Sequence, residues 1–201
     1  MFYRPNIDDH GLPHNPFKAI VSPRPIGWIS TVDTSGSPNL APYSFFNAVT
    51  DNPPMVMFAN TGTKPDQPYA KDTVANIRDT GEFVVNIVSF ALKDVMNSTS
   101  GPLAADVDEF EHAGIVKAAC NVVKVPRVAA SPASFECKLY KIVDLPGENN
   151  VMVLGEVVGV HIDDSVLVNG IYDVTKYSPL ARLGYRDYAT VTETFSLTRP
   201  E

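Results

Sequence analysis

Short apolar runs alternate with turn clusters along most of the chain. Ile26–Val32 mixes β-branched and aromatic residues, and Asp33-Thr34-Ser35-Gly36-Ser37-Pro38 follows as a dense turn signal, which predicts a strand and the turn of a hairpin. Asn39–Val49 supplies the returning strand, and Pro53-Pro54 sets off the apolar Met55–Ala59, so the three segments predict an antiparallel meander. Lys71–Arg78 opens with capping-type residues and spaces Val74, Ile77 and Arg78 as a helix does, with Gly81 to end it. Glu82–Val88 returns to the β pattern, and Phe90–Met96 puts Ala91, Leu92, Val95 and Met96 on one helical face. After the polar stretch Ser98–Gly114, Ala118–Val123, Ser134–Leu145 and Val151–Ile162 predict further strands, the last carrying Gly155 and Gly159 where a curled sheet needs bends or bulges. Six or seven strands with two short helices predict a mainly β protein closed as a barrel.

Composition sharpens this picture. Seventeen prolines in 201 residues exceed the typical ~5%. Eleven of them fall between Pro5 and Pro68, where they disfavour long helices and favour strands, turns and loops. A formal charge of −7 offers no footprint for nucleic acid or an anionic membrane. The apolar runs are far shorter than the roughly 20 residues a spanning helix needs, and the opening residues carry no secretion signal, so a cytoplasmic location is expected. Cys120 and Cys137 stand singly in apolar stretches, without the spacing of a metal or redox motif, and read as inert core residues. His10 and His14 share an i,i+4 spacing, but Gly11 and Pro13 between them argue against a helical ligand pair. The nucleophile elbow, the phosphate-binding loop ending in Gly-Lys-Ser/Thr and the dinucleotide glycine fingerprint are all absent.

Two segments carry candidate chemistry. A helix starting near Asp72 presents backbone N–H groups and a partial positive charge, to which Lys71 adds a full charge and Thr73 a hydroxyl, a combination suited to a phosphate. The bland alternative is an N-cap beside a solvated lysine. Residues 18–78 carry five basic and four acidic side chains, so the acidity lies elsewhere in the chain. Asn39–Asn47 interleaves aromatics with small polar groups, as a pocket for a planar, hydrogen-bonding ring requires; a strand with ordinary core aromatics reads the same way.

Ser22-Pro23-Arg24-Pro25-Ile26-Gly27-Trp28-Ile29-Ser30-Thr31, Asn39–Asn47, Pro53-Pro54, Lys71-Asp72-Thr73 with Asn76-Ile77, and Gly81-Glu82-Phe83-Val84-Val85-Asn86 resemble, in order and spacing, the flavin reductase-like family. The resemblance spans roughly residues 15 to 190 and implies one FMN-binding split β-barrel domain, six- to seven-stranded and Greek-key-like, over 1–201. It implies a homodimer with FMN at the subunit interface, the FMN phosphate at Lys71, Asp72 and Thr73, and the ring and ribityl chain against Asn39, Ser44, Phe45, Phe46 and Asn47. Arg24 and Trp28 belong to the first motif and are assigned to the flavin or nicotinamide surroundings, the alternative being a surface arginine and a core tryptophan. Arg182-Leu183-Gly184-Tyr185-Arg186-Asp187-Tyr188 resembles a late family motif and is expected to line the site mouth. Asp108-Glu109-Phe110 stands where many relatives have Asp-Lys-Phe, which would set an opposing charge near reduced flavin. The implied activity is hydride transfer from NADH or NADPH to flavin N5, with electrons passed to a monooxygenase or other acceptor. The alternatives are a flavoredoxin-like carrier with tightly bound FMN, reduced by a protein partner, and a ligand-binding barrel without turnover. Hydride transfer between stacked rings needs no triad or metal, so no catalytic side chain is named.

Overall fold

The computed structural model describes residues 1–62, 72–101, 103–104 and 107–200. Seven strands form one antiparallel sheet: β1 Gly27–Val32, β2 Pro38–Tyr43, β3 Phe46–Asp51, β4 Pro54–Asn60, β5 Glu82–Ile87, β6 Ala133–Asp144 and β7 Val151–Ile162. Their spatial order is β2-β1-β5-β6-β7-β4-β3. The edge strands β2 and β3 are therefore neighbours in sequence, separated only by Ser44 and Phe45. Two residues can bridge opposite edges only if the sheet curls until those edges meet, which makes it a barrel split at that step. Ala59 N–H anchors the junction by donating to the Phe45 carbonyl at 2.8 Å. The single strand expected over Asn39–Val49 is thus two strands on opposite edges.

Strand residues alternate between an inner and an outer layer. Ile29, Phe58, Phe83, Val85, Cys137 and Val153 fill the barrel, while Trp28, Leu40, Val88, Met96, Phe110 and Leu180 form a second cluster outside β1 and β2. Both faces of β1 and β5 are covered, so their polar Ser30, Thr31 and Asn86 are as fully buried as their apolar neighbours. The 12-residue partners β6 and β7 bend at register shifts beside Gly155 and Gly159, as their glycines predict. A Cβ at Gly155 would sit 2.3 Å from Phe83 Cζ, so only glycine lets the inward ring reach the β7 backbone.

Among the described residues four short α-helices, α1 Phe17–Ile20, α2 Asp72–Thr80, α3 Lys93–Ser98 and α4 Glu109–His112, decorate the barrel. Val74 and Ile77 of α2 join the inner cluster, and Gly81 ends the helix at φ 73° with its N–H on the Ile77 carbonyl. Arg24–Pro25, Leu180–Arg182 and Tyr188–Thr190 form a small outer sheet in which Arg24 lies opposite Arg182.

The strand expected at Ala118–Val123 is replaced by a loop after the two-residue strand Lys117–Ala118. The cause is Glu136 on β6, 1% exposed, whose carboxylate accepts the backbone N–H groups of Asn121, Val122 and Val123 at 2.9, 2.7 and 2.8 Å. Those donors are spent on a side chain and are lost to a ladder. Cys120 and His161 also converge on this carboxylate, His161 Nε2 lying 2.7 Å from Oε1. The histidine that the sequence did not place near a cysteine is therefore present, but the Glu136 oxygens are already committed to the loop. Burial and then the Glu136 charge push the Cys120 thiol up to about 11, and burial pushes Cys137 higher still, which keeps both as inert thiols.

Burial alone would raise the Glu136 carboxyl, but its backbone hydrogen bonds and His161 outweigh burial and hold it at about 2 against an ordinary 4.5. A carboxyl depressed in the folded state stabilises the fold above its unfolded value and loses that stabilisation as the pH falls. The unfolding free energy from urea titrations should therefore drop between pH 4.5 and about 2, by roughly 3 kcal/mol in all. The Glu136→Gln variant should be destabilised at neutral pH and lack this part of the pH dependence.

Candidate functional site

The expected residues fall into two groups. The first surrounds the start of α2. Thr73 is 2% exposed, and its hydroxyl accepts from Asn39 Nδ2 of β2 at 2.9 Å. It also hydrogen-bonds the Tyr43 phenol, opposing the burial that pushes that phenol up, while the charges of Asp72 and Glu109 add to the rise. Asn76 Nδ2 donates to Thr31 Oγ1 at 3.0 Å, so β1, β2 and α2 are cross-linked through polar side chains. Thr73 thus holds the helix start against the barrel, and the first backbone N–H groups of α2 have no acceptor within the helix. Lys71 lies outside the described residues.

Glu109, 5% exposed in the first turn of α4, accepts the Leu40 N–H of β2 at 3.0 Å. The Asp108 side chain caps that helix through Phe110 N–H and Glu111 N–H. The acidic departure from the family pattern is therefore a buried acceptor for the backbone of an edge strand.

The second group stands where the barrel edges meet. Phe45 is half-buried, with Lys18 Nζ and the Arg24 guanidinium each 5.8 Å from its ring centroid. Arg24 is 6% exposed and donates to the carbonyls of Lys18, Val21 and Leu183. Its Nε has no partner, and among the described residues no carboxylate pairs with it. Burial and then the facing Arg182 push its pKa down, marking a cation held at a cost. Ser44 lies in the same pocket, about 340 Å³, together with Lys18, Arg24, Arg182 and Tyr188. The Arg182 guanidinium stacks 4.5 Å over the Tyr188 ring and donates to the Tyr188 hydroxyl and the Tyr185 carbonyl, so the late Arg/Gly/Tyr motif reaches the pocket that Ser44 lines. Lys18 escaped the sequence reading, because nothing local to α1 marks it.

The remaining expected residues have other surroundings. Trp28 is fully buried in the outer cluster, its indole N–H donating to Thr99 Oγ1 at 2.9 Å. It has no surface left for a ligand and serves packing. Phe46 is 8% exposed in the inner cluster. Asn47 is exposed on the edge strand β3, its side-chain oxygen accepting the Ala48 N–H at 2.9 Å.

The geometry is that of a seven-stranded split barrel with a helix N-terminus against one edge and a cationic, aromatic pocket at the split. Residues 21–181 match the model of the flavin reductase like domain, and the chain belongs to that family. It is 41% identical over 170 residues to an uncharacterized protein of Aquifex aeolicus, covering 84% of this chain and 85% of the other. Nitrilotriacetate monooxygenase component B from Bacillus cereus superposes with TM-score 0.89 at 28% identity, covering 98% of both chains. The 2-nitrobenzoate 2-nitroreductase of Pseudomonas fluorescens superposes with TM-score 0.81 at 31% identity, covering 92% of this chain and 88% of that one. The family and these neighbours support a flavin cofactor and a flavin-linked oxidoreductase role. Among the described residues no helix is long and apolar enough to cross a membrane.

Replacing Asn39 by Ala removes the donor to Thr73 in a buried setting and should lower stability by about 1–3 kcal/mol in thermal or urea unfolding.

Proposed function

We propose that the chain is an FMN-dependent oxidoreductase in which NADH or NADPH reduces FMN and the electrons pass to a monooxygenase or another acceptor. The observation that carries this reading is Arg24, buried beside the half-buried Phe45 ring and without a carboxylate partner among the described residues, in one pocket with Ser44 at the split of the barrel. An uncompensated cation with an orphaned Nε against an aromatic face fits an electron-rich, planar, anionic group, and the helix start fits a phosphate. When bound, FMN supplies a ring whose N5 takes a hydride from the nicotinamide C4.

The chain's own residues then hold and orient. The α2 N–H groups, with Lys71, Asp72 and Thr73, receive the phosphate. Asn39 fixes the position of Thr73; Ser44 and Phe45 flank the ring and ribityl chain, with Asn47 approaching from the exposed edge strand β3. Phe46 and Trp28 act from the core by keeping β1 and β3 rigid. Arg24 places positive charge beside the ring pocket, where it favours anionic ligands.

We also read the protein as a cytoplasmic homodimer of single-domain subunits with FMN at the interface. The support is β3, an edge strand with Asn47–Asp51 all exposed and Val49 48% accessible, a surface of the kind that natural proteins cover. The monooxygenase-component neighbour supports an oxygenase as acceptor.

Two measurements bear on this reading. Purified protein should be yellow or take up FMN, and anaerobic addition of NADH or NADPH alone should bleach it; colour that persists until dithionite is added refutes the reductase and leaves a carrier. Thr73→Ala should raise the FMN dissociation constant by about tenfold, a loss of about 1.4 kcal/mol, as read by fluorescence titration.

A further inference from the structure

The pocket at the barrel split does not end at Arg182. A second cavity of about 570 Å³ shares Met96, Asn97, Arg182 and Tyr188 with it, so the two form one groove between α3 and the Leu180–Thr190 hairpin. The compartment next to Ser44 is cationic, with Lys18, Arg24 and Arg182. The far compartment has an apolar floor of Phe90, Met96 and Leu180 and carries Lys93 and Arg186. Five of the chain's 16 basic residues therefore line one groove of a protein whose net charge is −7, and Asp94 is the one acidic residue among the described residues that line it.

The groove thus combines cations beside Ser44 with an apolar floor and two further cations. A pyridine dinucleotide has parts to match: a diphosphate, an adenosine and, in NADPH, a 2′-phosphate. Lys18 and Arg182 match the diphosphate; Met96, Leu180 and Phe90, with Lys93 Nζ 4.6 Å from the Phe90 ring centroid, match the purine. Lys93 and Arg186 decide between the two donors. Recognition of an unphosphorylated ribose uses a carboxylate that accepts from the 2′-hydroxyl, whereas a 2′-phosphate is met by cations. Asp94 already takes the Lys93 ammonium at 3.1 Å, while Arg186 has no carboxylate partner among the described residues, so two cations face one acid there. The Lys93–Asp94 pair is largely solvated, 41% and 85% exposed at the side chains, and such pairs open readily to a stronger anion.

We propose that this groove binds the diphosphate and adenosine of the electron donor and that Lys93 and Arg186 select NADPH over NADH. The proposal rests on the reductase reading above for its turnover consequences, while the binding site itself can be tested without turnover. On FMN-loaded protein, adenosine 2′,5′-bisphosphate should bind by calorimetry about tenfold more tightly than adenosine 5′-diphosphate. In anaerobic kinetics, kcat/KM should favour NADPH by about the same factor. Lys93→Gln combined with Arg186→Gln should bring both ratios close to one, Lys93→Arg should preserve them, and Arg182→Gln should raise KM for both donors about tenfold. Equal binding of the two adenosine phosphates, or ratios that survive the double substitution in flavin-loaded protein, overturns the proposal. Selective bisphosphate binding without reduction by either donor upholds the groove and refutes the reductase reading, whereas equal reduction by NADH and NADPH upholds the reductase and refutes the selectivity.

Discussion

Everything in this molecule depends on a two-residue step. Ser44 and Phe45 carry the chain from one edge of a seven-stranded sheet to the other. That short tether forces the sheet to curl, decides which side chains face inward, and leaves a seam that the ladder hydrogen bonds do not close. The curl in turn demands local bending of the long strands β6 and β7, which the register shifts at Gly155 and Gly159 provide. The candidate flavin pocket is a product of the seam: it opens where a closed barrel would have another strand pair.

Buried polar side chains fix what the apolar core leaves undetermined. Asn86 on β5 is fully buried and uses both ends of its amide, donating to the Trp28 carbonyl and Ser30 Oγ while accepting from Val128 N–H and Ser134 Oγ. Glu136 gathers the 121–123 loop, and Glu109 holds the outer side of β2. Each accepts backbone N–H groups that would otherwise need another partner, and so holds a neighbouring segment against the barrel. The cost of removing any one of them exceeds a single surface hydrogen bond, because the remaining partners would be stranded away from water.

These devices also explain what could be read from the sequence. Strands such as Glu82–Ile87 were legible because β-branched and aromatic residues carry their own local signal, and α2 because its start and its Gly81 stop are both local. Asn39–Val49 looked like one strand because a bend at Ser44-Phe45 needs neither glycine nor proline. Ala118–Val123 looked like a strand because its apolar residues suit one; its N–H groups, however, go to a carboxylate 13–15 positions away. At the site, Thr73 and Asn39 were legible as polar residues in telling places, but their mutual bond was not. The basic groove was hidden more deeply, since Arg24 and Leu183 meet across 159 positions and Lys18 arrives on a helix of only four residues.

Arg24 fixes the shape of the seam through hydrogen bonds to main-chain atoms: the carbonyls of residues 18, 21 and 183. A tie of that kind is blind to side-chain identity at its acceptors. For this tie alone any side chain can stand at 18, 21 or 183, whereas lysine cannot stand in for the forked guanidinium. The constraint on sequence falls instead beside the acceptors, where a Cβ on Gly184 would come within 2.3 Å of Ala19 Cβ. The backbone path at the seam is therefore set by one guanidinium and one glycine, independently of the side chains at the acceptor positions.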